Sequence, residues 1–139
     1  MKAQITKSVL VLLLGLVLGN NLFAQSSISD LTDHKYALDN LRMGIHSENE
    51  GVKKSAIYFA GQYKIEDAAA DLINQLGNEE NASVRVLIAL ALFEIGSEDG
   101  IEAVRKLSAS DGNPRVRTMA AFIYDEFVNN NFEGKVTAR

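Results

Sequence analysis

The sequence predicts an all-α fold, a short α-solenoid of stacked antiparallel helix pairs with about six helices. Three observations predict it: a 32-residue repeat, apolar residues at helical spacing within each repeat, and no stretch with the period-2 alternation of a strand. One helix pair cannot bury its apolar face alone, so paired-helix repeats stack on one another and share a core.

Each repeat begins with the same signal for the start of a helix. Asn49, Asn81 and Asn113 recur with the period of the repeat, and Pro114 follows the third of them. Asn accepts a hydrogen bond from the first free amides of a helix, and Pro at the next position has no amide to leave unpaired. These residues are therefore predicted N-caps. The fourth position after each Asn is basic and holds Lys53, Arg85 and Arg117.

The apolar residues of the first helix in each repeat lie on one face. Counted from the Val that stands three residues after each Asn, they occur at offsets of 0, 4, 7 and 11, which is the stripe of an amphipathic helix. The stripe holds Val52, Ala56, Phe59 and Tyr63, then Val84, Ile88, Ala91 and Ile95, then Val116, Ala120, Ile123 and Phe127. We expect these side chains to face the core.

A second helix is predicted in the first two repeats, over about 65–76 and 99–108, and Gly77 is predicted to end the first of these. A further helix is predicted before the first repeat, over 30–43, and the third repeat has a single helix, over about 114–129. The inward residues of the two second helices are predicted to be Ala69, Leu72, Ile73 and Leu76, then Ile101, Val104 and Leu107.

Residues 1–24 have the pattern of a secretory signal peptide. Lys2 and Lys7 precede a ten-residue apolar run, 9–18, and Ala24 is the predicted last residue before cleavage. Ten helical residues span about 15 Å, half of a hydrocarbon core. The run therefore favours a cleaved signal peptide, which leaves no stable membrane span, over the alternative of an uncleaved anchor.

The predicted organisation after the signal peptide is a short linker at 25–29, a helical repeat domain at 30–128 and a flexible C-terminal tail at 129–139. Cleavage after Ala24 leaves the chain from Gln25 to Arg139, which is one domain with enough buried surface to fold independently.

Charge and composition exclude several classes of function. The chain has 14 basic and 18 acidic residues, and the part after residue 25 carries a net charge of −6. This balance argues against nucleic acid or an anionic membrane surface as the partner. The chain has no Cys, which excludes disulfides, a Cys-based zinc site and a thiol nucleophile. His34 and His46 do not have the i, i+4 spacing of a metal pair, and no catalytic or phosphate-binding motif occurs. We therefore expect no cofactor, no metal and no enzymatic activity.

The repeated segments resemble a known family. The helix openings 49–53 (NEGVK), 81–85 (NASVR) and 113–117 (NPRVR) resemble those of short bacterial HEAT-like repeats, and 93–96 (FEIG) resembles the helix end before their tight turn. The resemblance covers residues 30–128. The first repeat departs from it, with Lys53 for Arg and with Lys64 at the position of Gly96. The resemblance implies a curved stack whose surfaces bind proteins and a bacterial envelope location, but no single activity.

Four aromatic residues of the last helix and the tail are the candidate contacts with a partner protein: Phe122, Tyr124, Phe127 and Phe132. Phe122 stands at the position that Tyr58 and Leu90 occupy in the earlier repeats. The last helix has no predicted helix after it, so its open end could dock a protein or a second copy of the chain. Alternatively, Phe132 folds back and covers that end.

Two groups of charged residues each have two possible interpretations. The recurring basic residues form a ladder facing a ligand, or each pairs with a carboxylate or a helix-end carbonyl of the adjoining repeat. The acidic residues of the turns form a rim for a basic partner, or they are solvated residues at helix starts.

The predicted function is that of an exported, non-catalytic interaction or scaffold module that binds another protein. One alternative is a structural module that self-associates through its open end, which would make it a homo-oligomer. The other is a lyase-like or ligand-handling HEAT-repeat protein, which a carboxylate or His in a deep pocket would favour.

Overall fold

A computed structural model describes the backbone of residues 36–136 and the side chains of residues 36–130. Over this range the chain has six helices and no strand, which confirms the prediction that the fold is all-α. The predicted signal peptide (1–24), the predicted linker (25–29) and the start of the first predicted helix lie outside the described residues.

The helices are connected by short turns, and a single 3₁₀ turn, Glu66–Ala68, precedes the third helix. The helices are α1 (Ala37–Ile45), α2 (Glu50–Gln62), α3 (Ala69–Asn78), α4 (Ala82–Ile95), α5 (Glu98–Ser110) and α6 (Pro114–Val136). The first repeat thus contributes α2 and α3, the second α4 and α5, and the third α6.

The three predicted Asn caps are confirmed. The side-chain oxygen of Asn49 accepts a hydrogen bond from the amide of Val52 at 3.1 Å. Asn81 and Asn113 accept from the amides of Ser83 and Arg115, each at 2.9 Å. The helices α2, α4 and α6 therefore begin in the same way, at equivalent positions of the three repeats.

In the first two repeats a residue with left-handed backbone follows the first helix, although the residue type differs. Gly96 ends α4 in the left-handed conformation, with φ of 74°. Lys64, at the equivalent position of the first repeat, has φ of 50°. A residue with a Cβ adopts this conformation at a steric cost of about 1 kcal/mol, so Lys64 keeps the left-handed backbone of this position. The first repeat then continues with the 3₁₀ turn Glu66–Ala68, whereas the second continues directly with α5.

Two helix ends differ from those predicted. α3 continues through Gly77 to Asn78, because no left-handed residue stops it there. α6 continues to Val136, well past the predicted start of a flexible tail at 129. Asn residues inside a helix cost less than about 1 kcal/mol each, and no Pro follows Pro114 to end the helix.

The helices form two sets with the core between them. α2 packs on α4 and α4 packs on α6, while α1 packs on α3 and α3 packs on α5. The sets meet where α1 packs on α2, α3 on α4, and α5 on both α4 and α6. The largest fully buried side chains include Ile57, Leu72, Ile88, Leu92 and Val104.

The predicted apolar stripe is buried in the second and third repeats, apart from Phe127, which is half-buried. In the first repeat the prediction is wrong for Val52 and Phe59, whose side chains are each 49% exposed. The equivalent side of α4 lies against α2, where Ala91 contacts Gly61. Among the described residues, no helix stands in that position for α2, so its stripe stays open.

A nearly buried ion pair joins the second repeat to the third. The Arg85 guanidinium binds both carboxylate oxygens of Asp111, at 2.7 and 3.0 Å. Asp111 also accepts a hydrogen bond from the amide of Asn113 at 2.7 Å, which fixes the start of α6. Arg85 donates further to the carbonyls of Glu79 and Glu80 at the end of the first repeat. One side chain therefore links the turns at both ends of the second repeat.

The same junction recurs between the first and second repeats. Lys53 Nζ lies 2.8 Å from Glu79 Oε2, and Glu79 accepts a hydrogen bond from the amide of Asn81 at 2.9 Å. Gln75 Nε2 also donates to Glu79 Oε2, at 3.0 Å. Glu79 and Asp111 occupy equivalent positions and are 6% and 5% exposed, so both repeat junctions contain a nearly buried carboxylate.

The partners of these carboxylates lower their pKa values. The pKa of Asp111 is lowered chiefly by the hydrogen bonds from Arg85, which outweigh the effect of burial. Burial raises the pKa of Glu79, but the hydrogen bonds from Lys53, the Asn81 amide and Gln75 together outweigh it and lower the pKa. Both groups therefore stabilise the fold in their ionised form.

We expect the protein to lose stability in acid through these junctions. The pKa of each carboxyl is lower in the folded chain than its ordinary value of 4.5 for Glu79 and 3.8 for Asp111. Their stabilisation is complete above those values and is lost as the pH falls through the lower folded values. Urea unfolding between pH 7 and pH 3 measures this decline.

The variant that combines Glu79→Gln and Asp111→Asn should be less stable at pH 7 and should show a shallower decline in acid. Glu66→Gln, which changes an exposed carboxylate, serves as the control. A double variant with the same acid dependence as the unmodified chain would contradict the assignment.

Candidate docking surface

The solvent-facing residues of α2, α4 and α6 follow the repeat. Near the middle of each helix the outermost residue is large and apolar: Tyr58, Leu90 and Phe122, at equivalent positions, are 56%, 41% and 67% exposed. One turn earlier, α4 carries the half-buried Leu87 and α6 the exposed Met119. These five residues are here called the apolar band.

One turn after the apolar band, the same face becomes polar. Gln62, Glu94 and Glu126 are exposed at equivalent positions of the three helices and are here called the polar edge. α2 and α4 end within one residue of it, so their carbonyl ends add partial negative charge there. The Tyr58 hydroxyl donates to Gln62 Oε1 at 2.9 Å, and Lys64 Nζ lies 4.0 Å from Glu94 Oε2.

A groove of about 400 Å³ runs between α2 and α4 within this face. It is lined by two small residues, Gly61 and Ala91, by the apolar side chains of Tyr58, Leu87 and Leu90, and by Gln62 and Glu94 of the polar edge. A volume of this size is in the range of pockets that take a small ligand or a large side chain. The groove is not an enclosed cavity, so its occupant need not be a small molecule.

The groove exists because α2 and α4 approach closely at Gly61. A Cβ atom on Gly61 would lie 2.7 Å from the Ala91 Cα atom, closer than any unstrained contact. With no side chain at Gly61 and a methyl group at Ala91, the helices meet backbone to backbone. The large side chains of Tyr58 and Leu90 line the groove beside this contact.

Among the predicted contact residues, the structure describes the side chains of Phe122, Tyr124 and Phe127, and it separates the first from the other two. Phe122 lies in the apolar band. Tyr124 is half-buried against the core, and Phe127 packs edge-on against Phe93 with ring centroids 6.4 Å apart. Phe132 lies in the part of α6 whose side chains are not described. Phe122 therefore joins Tyr58 and Leu90 of the earlier repeats rather than Tyr124 and Phe127, and their alignment in the repeat was the signal for this surface.

The recurring basic residues belong to the repeat junctions. Lys53 and Arg85 bind the carboxylates of Glu79 and Asp111, and Arg117 donates to the backbone carbonyl of Asp111 at 2.5 Å. The interpretation as pairs within the fold is confirmed for all three, and they do not form a ladder that faces a ligand.

A second polar cluster joins α1 to α3 on the other side of the molecule. His46 lies between Gln75 Oε1, at 2.9 Å, and Asp71 Oδ1, at 3.2 Å, and Arg42 donates to the second Asp71 oxygen at 3.0 Å. Gln75 is nearly buried, and its amide is oriented by Glu79. Each polar group of this cluster has a partner within the fold, so the cluster serves to connect the helices.

Within residues 36–130, no group of three or more His, Asp or Glu side chains is arranged to hold a metal ion. His34 of the sequence analysis lies outside this range. None of the helices between residues 36 and 136 is both long and apolar enough to cross a bilayer. Comparisons of the chain with protein-family models, curated proteins and solved structures gave no match.

The close approach of α2 and α4 at Gly61 can be tested by comparing Gly61 with Gly77 of α3, which has open space around it. Gly61→Ala should destabilise the fold by about 1–3 kcal/mol, because the added methyl group must push α2 away from the Ala91 backbone. Gly77→Ala is the matched control, since nothing lies within 4 Å of the added methyl group. It should stabilise the fold by about 0.5–1 kcal/mol as a helix-interior replacement. Equal effects in thermal or urea unfolding would contradict the close approach of α2 and α4.

Proposed function

We propose that this chain is an exported, non-catalytic module that binds another protein through the outer face of α2, α4 and α6. The observation that carries the proposal is the apolar band, which exposes three large side chains at the same position of three adjoining helices. Contiguous exposed apolar surface on a soluble domain marks an interaction site more often than chance.

The proposed architecture is a short α-solenoid of stacked antiparallel helix pairs, similar to HEAT repeats. Its support is the recurrence of the same contacts: α2 on α4 and α4 on α6 in one set, and α1 on α3 and α3 on α5 in the other. The junction carboxylates Glu79 and Asp111 recur at the same interval. In such a stack, equivalent surface residues form rows across the repeats, which is the pattern of the apolar band.

Export rests on the sequence of residues 1–24 alone, and a bacterial envelope location rests on the resemblance to short bacterial HEAT-like repeats. Both are parts of the proposal. A protein partner is favoured over nucleic acid because the chain after residue 25 carries a net charge of −6 and the polar edge includes two carboxylates.

A second candidate function is self-association from end to end. Val52 and Phe59 are half exposed, although the equivalent residues of α4 and α6 are buried. In those two helices the first helix of the previous repeat packs against this side. A second copy that placed its α6 against this side of α2 would cover them. Such a head-to-tail contact is heterologous and can extend beyond a dimer.

The experiment that tests the first candidate is capture of a partner from an envelope extract of the native cell, with the chain from Gln25 onward as bait. Leu90→Ser and Phe122→Ser should each abolish capture of a stoichiometric partner. Met43→Ser is the matched control, because Met43 is also exposed and apolar but lies on α1.

A partner that is retained by Leu90→Ser and Phe122→Ser, or lost equally in Met43→Ser, would contradict the assigned surface. Sedimentation velocity at several concentrations measures the second candidate. Concentration-dependent growth that is abolished by Phe59→Ser, with no partner captured, would favour self-association over the docking of another protein.

A further inference from the structure

We propose that the partner docks as an amphipathic α-helix that carries Arg or Lys along one flank of its apolar face. This inference rests on the proposed function, and it adds the chemistry and orientation of the segment that the apolar band receives. It is carried by the size of the band, the shape of the groove and the charge of the polar edge.

The size of the apolar band fits a helix of three to four turns. Packed helices have axes about 8–10 Å apart, so a band across α2, α4 and α6 is about 20 Å long. An α-helix rises about 1.5 Å per residue and covers that length with about 13 residues. The row of three apolar side chains and the row of two that lies one turn earlier, on α4 and α6, together match the stripe width of such a helix.

The groove between α2 and α4 fits a long cationic side chain better than a purely apolar one. Tyr58 and Leu90 give the groove an apolar lining, and Glu94 adds a carboxylate to it. Arg and Lys side chains lay their aliphatic stems along apolar surface and keep the charged head at its polar margin. The Tyr58 ring adds a face that attracts a cation, and its hydrogen bond to Gln62 holds it in place.

The charges around the band specify which flank is basic. On the polar edge, the cationic head meets Glu94, Glu126 and the carbonyl ends of α2 and α4. Lys64 is the cation already at this edge, but its contact with Glu94 is long and exposed and contributes little, so an incoming Arg can replace it. At the opposite end of the face α6 presents the exposed Arg115, which disfavours a basic flank there.

Two designed peptides test the proposal directly. Each carries an identical stripe of Leu at helical spacing and a fluorescent label, and each is just long enough to form a helix that spans the band. One flank of the stripe is Arg in the first peptide and Glu in the second. Binding to the chain from Gln25 onward is measured by fluorescence anisotropy at physiological ionic strength. We expect the Arg peptide to bind about tenfold or more tightly than the Glu peptide.

Variants of the protein separate docking at the band from general attraction to an acidic chain. Glu94→Lys and Leu90→Ser should each weaken binding of the Arg peptide about tenfold. Glu102→Lys makes the same charge change on α5 and should leave binding unchanged. Circular dichroism and thermal unfolding verify that each variant is folded.

Each other outcome overturns the proposal in a distinguishable way. Equal binding of both peptides, or no effect of Glu94→Lys on binding of the Arg peptide, would contradict the basic flank of the partner helix. If Glu102→Lys weakens binding of the Arg peptide as much as Glu94→Lys does, the peptide is attracted only by the net negative charge of the chain. If neither peptide binds while the capture experiment still yields a partner sensitive to Leu90→Ser, the helical partner is wrong and the proposed function stands. If capture fails as well, the proposed function itself is wrong.

Discussion

The ion pair between Arg85 and Asp111 is the constraint on which the spacing of the repeats depends. Asp111 fixes the start of α6 through the Asn113 amide, and Arg85 reaches back to the carbonyls that end the first repeat. The position of α6 relative to α4 is thus set by directional hydrogen bonds, whereas apolar packing alone tolerates sliding. A nearly buried ion pair adds little net stability over an apolar replacement, but loss of one partner is strongly destabilising. The junction therefore specifies register more than it adds stability.

The surface of α2, α4 and α6 follows from that register. When equivalent positions of neighbouring helices line up, Tyr58, Leu90 and Phe122 form one row and the polar edge forms the next. The contact of Gly61 with Ala91 then draws α2 and α4 together and leaves a groove above the backbone. Buried residues thereby fix the rows, and exposed residues of the same rows form the surface that we propose as the docking site.

The sequence predicted much of this fold because its signals are local. The Asn caps, the stripe of the second and third repeats and the left-handed Gly96 depend on contacts within one helix or with its neighbour. The failures arise where neighbours differ: Val52 and Phe59 lack the helix that covers their equivalents, and Gly77 lies inside a helix that needs no stop. For the site, the aromatic residues of the last helix were selected together, although helical periodicity places Phe122 on a different face from Tyr124 and Phe127. The row across three repeats emerges only when the repeat is combined with burial.

The most direct test of the account is a double-mutant cycle on Arg85 and Asp111, with the free energy of unfolding of Arg85→Ala, Asp111→Ala and the double variant measured at pH 7. The account predicts that each single change destabilises the fold by about 3 kcal/mol, because a nearly buried charge loses its partner. The double variant should recover part of that loss, with a coupling energy of about 2 kcal/mol. Additive effects, with no coupling between the two residues, would contradict the claim that this junction holds the repeats in register.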